Sequence, residues 1–587
     1  MYGLPLLMAA NAIEYVPMLK QKIASDALLL KLRERNDIEE HPTTLPIPSD
    51  CFHEPKNALF DPEIPRLNPE HKSQSPFLSF WDYHEAYCNF TTTPTEVAEK
   101  LLEQLKKSQR MSWVRFVADD ILEQAKQSTE RYKQNAFRSQ MDGCFMSVKE
   151  EVDIQGLETK VGTCFINDGR PAEKDATLVR KLRNAGVIIV GSAVMNELGW
   201  DTFSVNPNTG IPKNPYKPTH SCGGSSGGSG GCVAGGLFPV SIGADGGGSV
   251  RIPSAFCGLY GLKTTHSRVS AHGGATLDPS LGSYGPLAAT ADDMTLAYTI
   301  ISGPDKNDVN TWLQPPVSLQ NYDRYRDLSD ITIGVFPGWG QQMLEPAIHD
   351  RYELLKEQLL TLGARITEIE IPDIDLVETG EYRTFALNVI AIPVINVSSY
   401  LFFFIKKTKQ AHTVTICSEM FSYASRFSDN HTKFLPHTRL MAATASVLDG
   451  RDYVRAQQVR TRMMNHLRHL FEDQQIDLIL SPTTALVAPE IPAKAYSHGM
   501  SNAKLTIRSM VYCMLANLTG IPAVNVPVGF HPENGMPIGM QFMAKWWDEA
   551  LLCRIAKTCE LSISGVERKH PPSEHWFANG LLPMTNK

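Results

Sequence analysis

Glycine and serine crowd one long tract near the middle of the chain. It opens as Cys222-Gly-Gly-Ser225-Ser226-Gly-Gly-Ser-Gly-Gly231 and closes as Asp245-Gly246-Gly247-Gly248-Ser249-Val-Arg251-Ile-Pro253. Glycine adopts positive φ without steric cost and lets backbone amides approach a reacting atom closely. A hydroxyl behind Gly246, Gly247 and Gly248 stands where several N–H groups can converge on one oxygen. That is what an oxyanion hole requires. A Gly/Ser run is also the composition of a flexible linker. Here, however, the run is interrupted by Val233-Ala-Gly-Gly-Leu-Phe-Pro-Val-Ser-Ile-Gly-Ala244 and followed by Phe256-Cys-Gly-Leu-Tyr-Gly-Leu262. Such apolar residues gain by burial, which a solvated linker does not offer. No Gly-Lys-Ser/Thr follows, which argues against a phosphate loop. Gly223-Gly-Ser225-Ser-Gly227 has the spacing of a nucleophile elbow. The polar, proline-broken stretch before it is a poor candidate for the buried strand that an elbow needs.

The stretch from Gly223 to Thr265 resembles the amidase signature family. Its motifs stand as Gly-Gly-Ser225-Ser226-Gly, Asp245-Gly-Gly-Gly-Ser249-Val-Arg251-Ile-Pro253 and Cys257-Gly-Leu-Tyr-Gly-Leu-Lys263. Upstream, Phe145-Met-Ser-Val-Lys149-Glu-Glu-Val-Asp153-Ile-Gln-Gly156 is similar to the family's lysine-bearing strand. Downstream, Leu480-Ser-Pro-Thr-Thr-Ala, Asn517-Leu-Thr-Gly-Ile-Pro522 and Gly535-Met-Pro-Ile-Gly-Met-Gln541 continue the likeness, which covers about residues 80 to 565. The resemblance implies a three-layer α/β/α fold with a mixed, twisted central sheet. It also implies amide hydrolysis through a Lys–Ser–Ser triad. Ser249 would be the nucleophile, Ser225 the bridging hydroxyl after a cis peptide bond, and Lys149 the base. Gly246, Gly247, Gly248 and Ser249 would supply the oxyanion hole. Ser226, Asp245 and Arg251 would pin the glycine loops by hydrogen bonds.

A serine hydroxyl is a weak nucleophile until a base takes its proton. A lysine serves only when neutral, and burial away from any carboxylate favours that form. On this reading the rate should rise with pH as the lysine deprotonates. Phe145-Met-Ser-Val is apolar enough to be a buried strand end. Strand alternation sends Glu150 to the opposite face, where many relatives carry Asp. Glu151 returns to the lysine's side and is expected to leave at the turn. Lys263 is the rival base, which the family pattern places in a structural Gly-Leu-Lys turn. No HExxH or paired CxxC spacing occurs, so neither metal nor cofactor is expected.

A chain of 587 residues can bury a large core. Its net charge of −7 and pI near 6.2 argue against a nucleic-acid partner. The 11 cysteines lack framework spacing, which suits a reducing compartment. No basic n-region precedes the first apolar residues, so no signal peptide is expected. The location expected is cytoplasmic, or peripheral on an internal membrane. Thr93-Pro-Thr-Glu96 predicts a capped helix carrying Val97, Leu101 and Leu105. Asp175 is expected to cap a second helix, ended by Gly186 and followed by a buried Val187–Val190 strand. This alternation points to an α/β architecture.

Three segments are read: an N-terminal helical extension over 1–75, a catalytic domain over 76–570 and a C-terminal tail over 571–587. Between Leu4 and Leu32, two apolar stretches interleave with Lys20, Lys22, Lys31, Arg33 and Arg35. That pattern suits an interfacial, membrane-associating helix, with packing onto the domain as the alternative. Such an extension, with Gly261-Leu-Lys-Thr-Thr265, resembles the family's plant-type fatty acid amide hydrolases. They cleave N-acylethanolamines to fatty acid and amine. The partner implied is therefore a lipid amide, with peripheral membrane contact and room for a homodimer. Three readings compete: a general amidase on small aliphatic or aryl amides, a non-catalytic membrane-binding relative, and an ammonia-producing amidotransferase subunit. Phe385 to Ile405 carries no charge and is long enough for a span, though a span here would cut the hydrolase in two. An apolar membrane-contact insertion over 385–410, a buried core segment and a retained intron over 389–410 all stay open.

Overall fold

The computed structural model describes residues 1–52 (except 16, 27–28 and 35–36), 64–377 (except 73–74), 382–384, 403–405, 411–563 and 568–583. The insertion or intron segment, 385–410, lies outside these apart from 403–405.

Among the described residues eleven strands form one mixed sheet. The first half comprises β1 (Val114–Val117), β2 (Phe145–Lys149), β3 (Ile188–Ala193), β4 (Val240–Ala244), β5 (Tyr260–Lys263) and β6 (Tyr284–Ala288). The second comprises β7 (Thr332–Val335), β8 (Arg365–Glu368), β11 (Leu478–Pro482), β12 (Ala523–Phe530) and β13 (Pro537–Ala544). Between them in sequence, β9 (Tyr382–Thr384) and β10 (Phe403–Ile405) pair with each other in a two-stranded sheet among the described residues. The order across the sheet is β1-β3-β2-β4-β6-β5-β12-β13-β11-β7-β8. β2 runs parallel to β3 and β4, whereas β6, β5, β12 and β13 are joined antiparallel. Helices flank the sheet, so the α/β/α expectation holds.

Local chemistry accounts for most element boundaries. Thr93 accepts from the Glu96 N–H and Glu96 returns a carboxylate to Thr93, completing the capping box of helix Pro94–Ser108. Its Val97, Leu101 and Leu105 face the core. Asp175 does not cap the next helix, Thr177–Asn184; it pairs with Arg183 and accepts from Gln155 N. Gly186 does end that helix, at φ +88°, and β3 follows fully buried.

The N-terminal helices Leu4–Tyr15 and Pro17–Asp26 pack on helix Pro436–Ala445. Leu6, Ile13 and Ile23 bury there against Leu440 and Ala443. Leu4 and Met8 stay outward, 59% and 41% exposed. Arg33, one of the interleaved basic residues, is bidentate on Asp452. The C-terminal tail packs on the catalytic domain through Trp576 and Phe577. Phe577 N bonds Gly235 O, and the Trp576 ring fills the space where Gly236 lacks a side chain. Among the described residues no helix is long and apolar enough to cross a membrane.

Two hydroxyls tie the strands that carry the site. Ser147 on β2 and Ser241 on β4 sit opposite each other, 2.8 Å apart, and Ser241 Oγ also donates to Ser147 O. Both are fully buried. Ser241→Ala would leave the Ser147 hydroxyl with only the Cys232 thiol as a weak partner. We expect a loss of about 1–3 kcal/mol in denaturant unfolding, with the Ser147→Ala/Ser241→Ala double variant losing less than the sum.

Candidate active site

Parallel pairing of β2 and β4 sets their C-terminal ends on one edge of the sheet. β2 ends at Lys149, and β4 ends at Ala244, just before the glycine loop. Ser225 and Ser226 lie at the start of helix Gly227–Ala234, whose glycines let it pack against Trp113, Val194 and Pro253. Three distant stretches thus meet at one point. Lys149 Nζ donates to Ser225 Oγ at 2.8 Å and lies 3.4 Å from Ala244 O. The Gly224–Ser225 peptide is cis. Ser249, 9% exposed, opens on the same cavity as Lys149 and Ser225.

The loop behind Ser249 is fastened at Asp245. Its carboxylate accepts from the N–H groups of Gly248 and Val250 at 2.6 and 3.1 Å, and from Arg251 Nε and Nη2, both at 3.0 Å. Arg251 Nη1 donates to Gln541, and Nη2 also donates to Asn517 and to Cys513 O. Burial alone would raise the Asp245 pKa, but the Arg251 charge and the hydrogen bonds hold it well below the usual carboxylate range. The roles expected for Asp245 and Arg251 as loop anchors fit these contacts. So does that of Ser226, whose Oγ bridges Ala244 O and N. Gly248 requires correction: its N–H is used by Asp245 and is not free for an oxyanion. Among the described residues the N–H groups of Gly246, Gly247 and Ser249 have no acceptor. Gly248 is needed instead for its φ of +112° and for the room it leaves Ile252 and Cys513. A Cβ on Gly246 would lie 1.5 Å from Asp278 Oδ2.

Several groups here escaped sequence reasoning. His412 Nε2 donates to Gly246 O at 2.8 Å. Burial pushes this imidazole down to about 4, so it is neutral, and its Nδ1 has no partner among the described residues. Asp278 lines the cavity, its carboxyl driven well above the usual range by burial and by the Glu151 and Glu419 charges. Neither residue belongs to a motif that could have singled it out. Asn517 and Gln541 do fall in the family-like stretches.

Glu151 overturns the expectation of a lysine without a facing carboxylate. It does not leave at the turn; its Oε2 lies 2.8 Å from Lys149 Nζ. Glu150 takes the opposite face, as alternation requires, and pairs with Arg115. Burial raises Glu150 to about 7 despite that partner. Lys263 is buried and brought down to about 7 by burial, then by the Arg251 charge. It donates to Thr264 O and Ile521 O, both at 2.9 Å, and does not line the cavity. Its place is structural. Among the described residues no cluster of three His, Cys, Asp or Glu side chains is gathered as a metal would need.

The Amidase family model matches residues 96–553. The chain belongs to the amidase family. It is 31% identical to a fatty acid amide hydrolase of Arabidopsis thaliana, over 86% of this chain and 85% of that one. It is 33% identical to one from Oryza sativa subsp. indica, over 91% and 84%. Among solved structures, native peptide amidase from Stenotrophomonas maltophilia superposes with a TM-score of 0.66. At 22% identity, that match covers 84% of this chain and 98% of that one and bears on the fold alone. As an amidase, the chain is an amide hydrolase.

The amidase cavity is large, about 1130 Å³. Lys149, Ser225 and Ser249 line it together with Gly246 and Gly247. Trp200, Ile416, Met420, Met441, Met510 and Met514 supply apolar wall. The N-terminal segment completes that wall with Leu4, Pro5, Ile23 and Leu29.

Removing Arg251 tests the anchor. Arg251→Met would leave Asp245 buried and unpaired, at a cost of about 3–5 kcal/mol. Activity should fall with stability, because Gly248 and Val250 lose a fixed acceptor. Asp245 ionises more readily folded than unfolded. Its contribution is therefore complete above the ordinary aspartate range and fades as pH drops below about 4. Denaturation series at several pH values should show that acid loss in the parent enzyme and a smaller one in Arg251→Met.

Proposed function

We propose that this amidase is a serine hydrolase of fatty acid amides, N-acylethanolamines among them, working through Lys149, Ser225 and Ser249. The observation that carries the chemistry is the Lys149 Nζ–Ser225 Oγ contact beside Ser249. Lys149 takes a proton through Ser225 as Ser249 attacks the amide carbon. The N–H groups of Gly246, Gly247 and Ser249 are the donors available to the developing oxyanion, and such donors are strongest where water is excluded. An acyl-enzyme forms on Ser249, the amine leaves with a proton returned from Lys149, and water then releases the acid.

The cavity's apolar wall and the similarity to plant fatty acid amide hydrolases support an acyl-chain substrate. The driving force is burial of the chain, roughly 0.8 kcal/mol per methylene. On this reading, the outward Leu4 and Met8 of the N-terminal extension touch a membrane surface, and lipid enters past Leu4 and Pro5.

A hydrolysis panel tests the substrate. Long-chain N-acylethanolamines should be cleaved with efficiencies that climb up to about fourfold per added methylene while the cavity has room. Short aliphatic amides, benzamide and glutamine should be slow. Deleting residues 1–35 should reduce vesicle binding and slow hydrolysis of vesicle-borne substrate more than that of a short soluble amide. A flat chain-length profile, or faster turnover of small amides, would replace this reading with a general amidase. Equal losses on both substrates would assign the extension to support of the fold.

A further inference from the structure

Three oxygens surround Lys149 Nζ: Ser225 Oγ at 2.8 Å, Glu151 Oε2 at 2.8 Å and Ala244 O at 3.4 Å. An ammonium offers three N–H donors and no lone pair. This arrangement therefore suits a protonated lysine, which cannot accept the proton that Ser225 must pass on. The Lys149 and Glu151 side chains are 2% and 5% exposed, so solvent is a poor receiver for the surplus proton. A bound acyl chain would exclude water further. Glu151 Oε2 lies within ion-pair distance of Nζ, and no hydrogen bond occupies it among the described residues.

We propose that Glu151 is the proton partner of Lys149. It accepts one proton from the ammonium, so that a neutral amine and a neutral carboxylic acid stand beside Ser225. This inference rests on the reading of Lys149 as the base. The balance is internal. Lys149 –NH₃⁺ and Glu151 –COO⁻ become –NH₂ and –COOH, with total charge unchanged. Ser249 Oγ then bonds to the amide carbon, and the carbonyl electron pair moves onto its oxygen. The Ser249 proton passes to Ser225 Oγ as the Ser225 proton passes to the Nζ lone pair. When the C–N bond breaks, its electron pair stays on nitrogen, which takes the proton back from Lys149 through Ser225. Water repeats the path in deacylation, and Glu151 keeps its proton throughout.

Burial favours such an exchange, because two neutral groups avoid the desolvation of two charges, offsetting the lost attraction. Asp278, on the segment before β6, faces Glu151, with Tyr284 of β6, Tyr423 of helix Ala411–Ser425 and Asp153 around it. None of these is itself a cation; Arg426 lies over the Tyr423 ring. Glu419, the next carboxylate beyond Asp278, is taken up by Ser280 and Tyr453. Asp245 is taken up by Arg251. Among the described residues Lys149 is thus the cation in contact with Glu151.

The test compares Glu151→Gln, Glu151→Asp and Lys149→Ala in the full chain. The readouts are kcat/KM for a long-chain fatty acid p-nitroanilide from about pH 5 to 10, and the melting temperature. The parent enzyme should be flat across neutral pH, because the proton moves within the pair. This replaces the simple rise with pH that an isolated lysine would give. Glu151→Gln can hold the ammonium but cannot take its proton. Its rate should fall by about 10²-fold at neutral pH and climb about tenfold per pH unit, since solvent must now remove the proton. Glu151→Asp should keep the flat profile at a reduced rate. A Glu151→Gln enzyme as fast as the parent at neutral pH, with a flat profile, would overturn the proposal and leave Glu151 a mere holder of the ammonium. Should Glu151→Gln melt too low to assay, a steeply climbing profile in Glu151→Asp would overturn it equally. Near-normal turnover by Lys149→Ala would instead remove the underlying assignment of the base. An inactive Lys149→Ala beside a fast, flat Glu151→Gln would remove this proposal alone.

Discussion

A buried ion pair, Asp245 with Arg251, is the constraint on which the site depends. Both side chains are wholly out of water, which is costly unless every polar atom is used. The surrounding elements supply those partners. Asp245 takes two loop N–H groups, and Arg251 reaches Asn517 before β12, Gln541 on β13 and the Cys513 carbonyl. Once these bonds are made, the glycine loop has one path open to it. Gly248 takes a left-handed conformation, Gly246 presses against Asp278, and Ser249 emerges at the cavity floor. The ion pair contributes geometry more than net stability.

Much of this was legible before the fold was known, for physical reasons. Lys149 could be placed at a strand end because Phe145-Met-Ser-Val has the apolar character of a buried strand, and β2 is one. The Thr93–Glu96 cap forms because both bonds are local, within one turn. Ser225, Ser226, Ser249, Asp245 and Arg251 lie in one dense motif whose spacing leaves little freedom.

What could not be read depends on tertiary detail. Glu151 was expected to turn away, because strand alternation stops at the strand's end and the loop geometry then decides. The loop keeps it against Lys149, with Glu151 O accepting from Ala275 N at 2.7 Å. Gly248 looked like an oxyanion donor by position, yet an N–H can serve one strong acceptor, and Asp245 is closer. Asp175 sat where a cap belongs but found Arg183. His412 and Asp278 carry no motif at all. They matter through contacts with Gly246 that only the folded chain creates. The apolar wall and the charged floor of the cavity arise in the same way, from segments spread between the N-terminus and helix Met514–Thr519.

The central claim is that a proton leaves Ser249 through Ser225 to Lys149, making Ser249 the attacking atom. The most direct test is covalent. The enzyme is treated with a long-chain fluorophosphonate, digested and mapped by mass spectrometry, with Ser249→Ala and Ser225→Ala treated in parallel. The account predicts one adduct, on the peptide containing Ser249. It should be absent from Ser249→Ala, whose melting temperature stays close to that of the parent, and formed slowly in Ser225→Ala. An adduct on Ser225, or full labelling of Ser249→Ala, would contradict it.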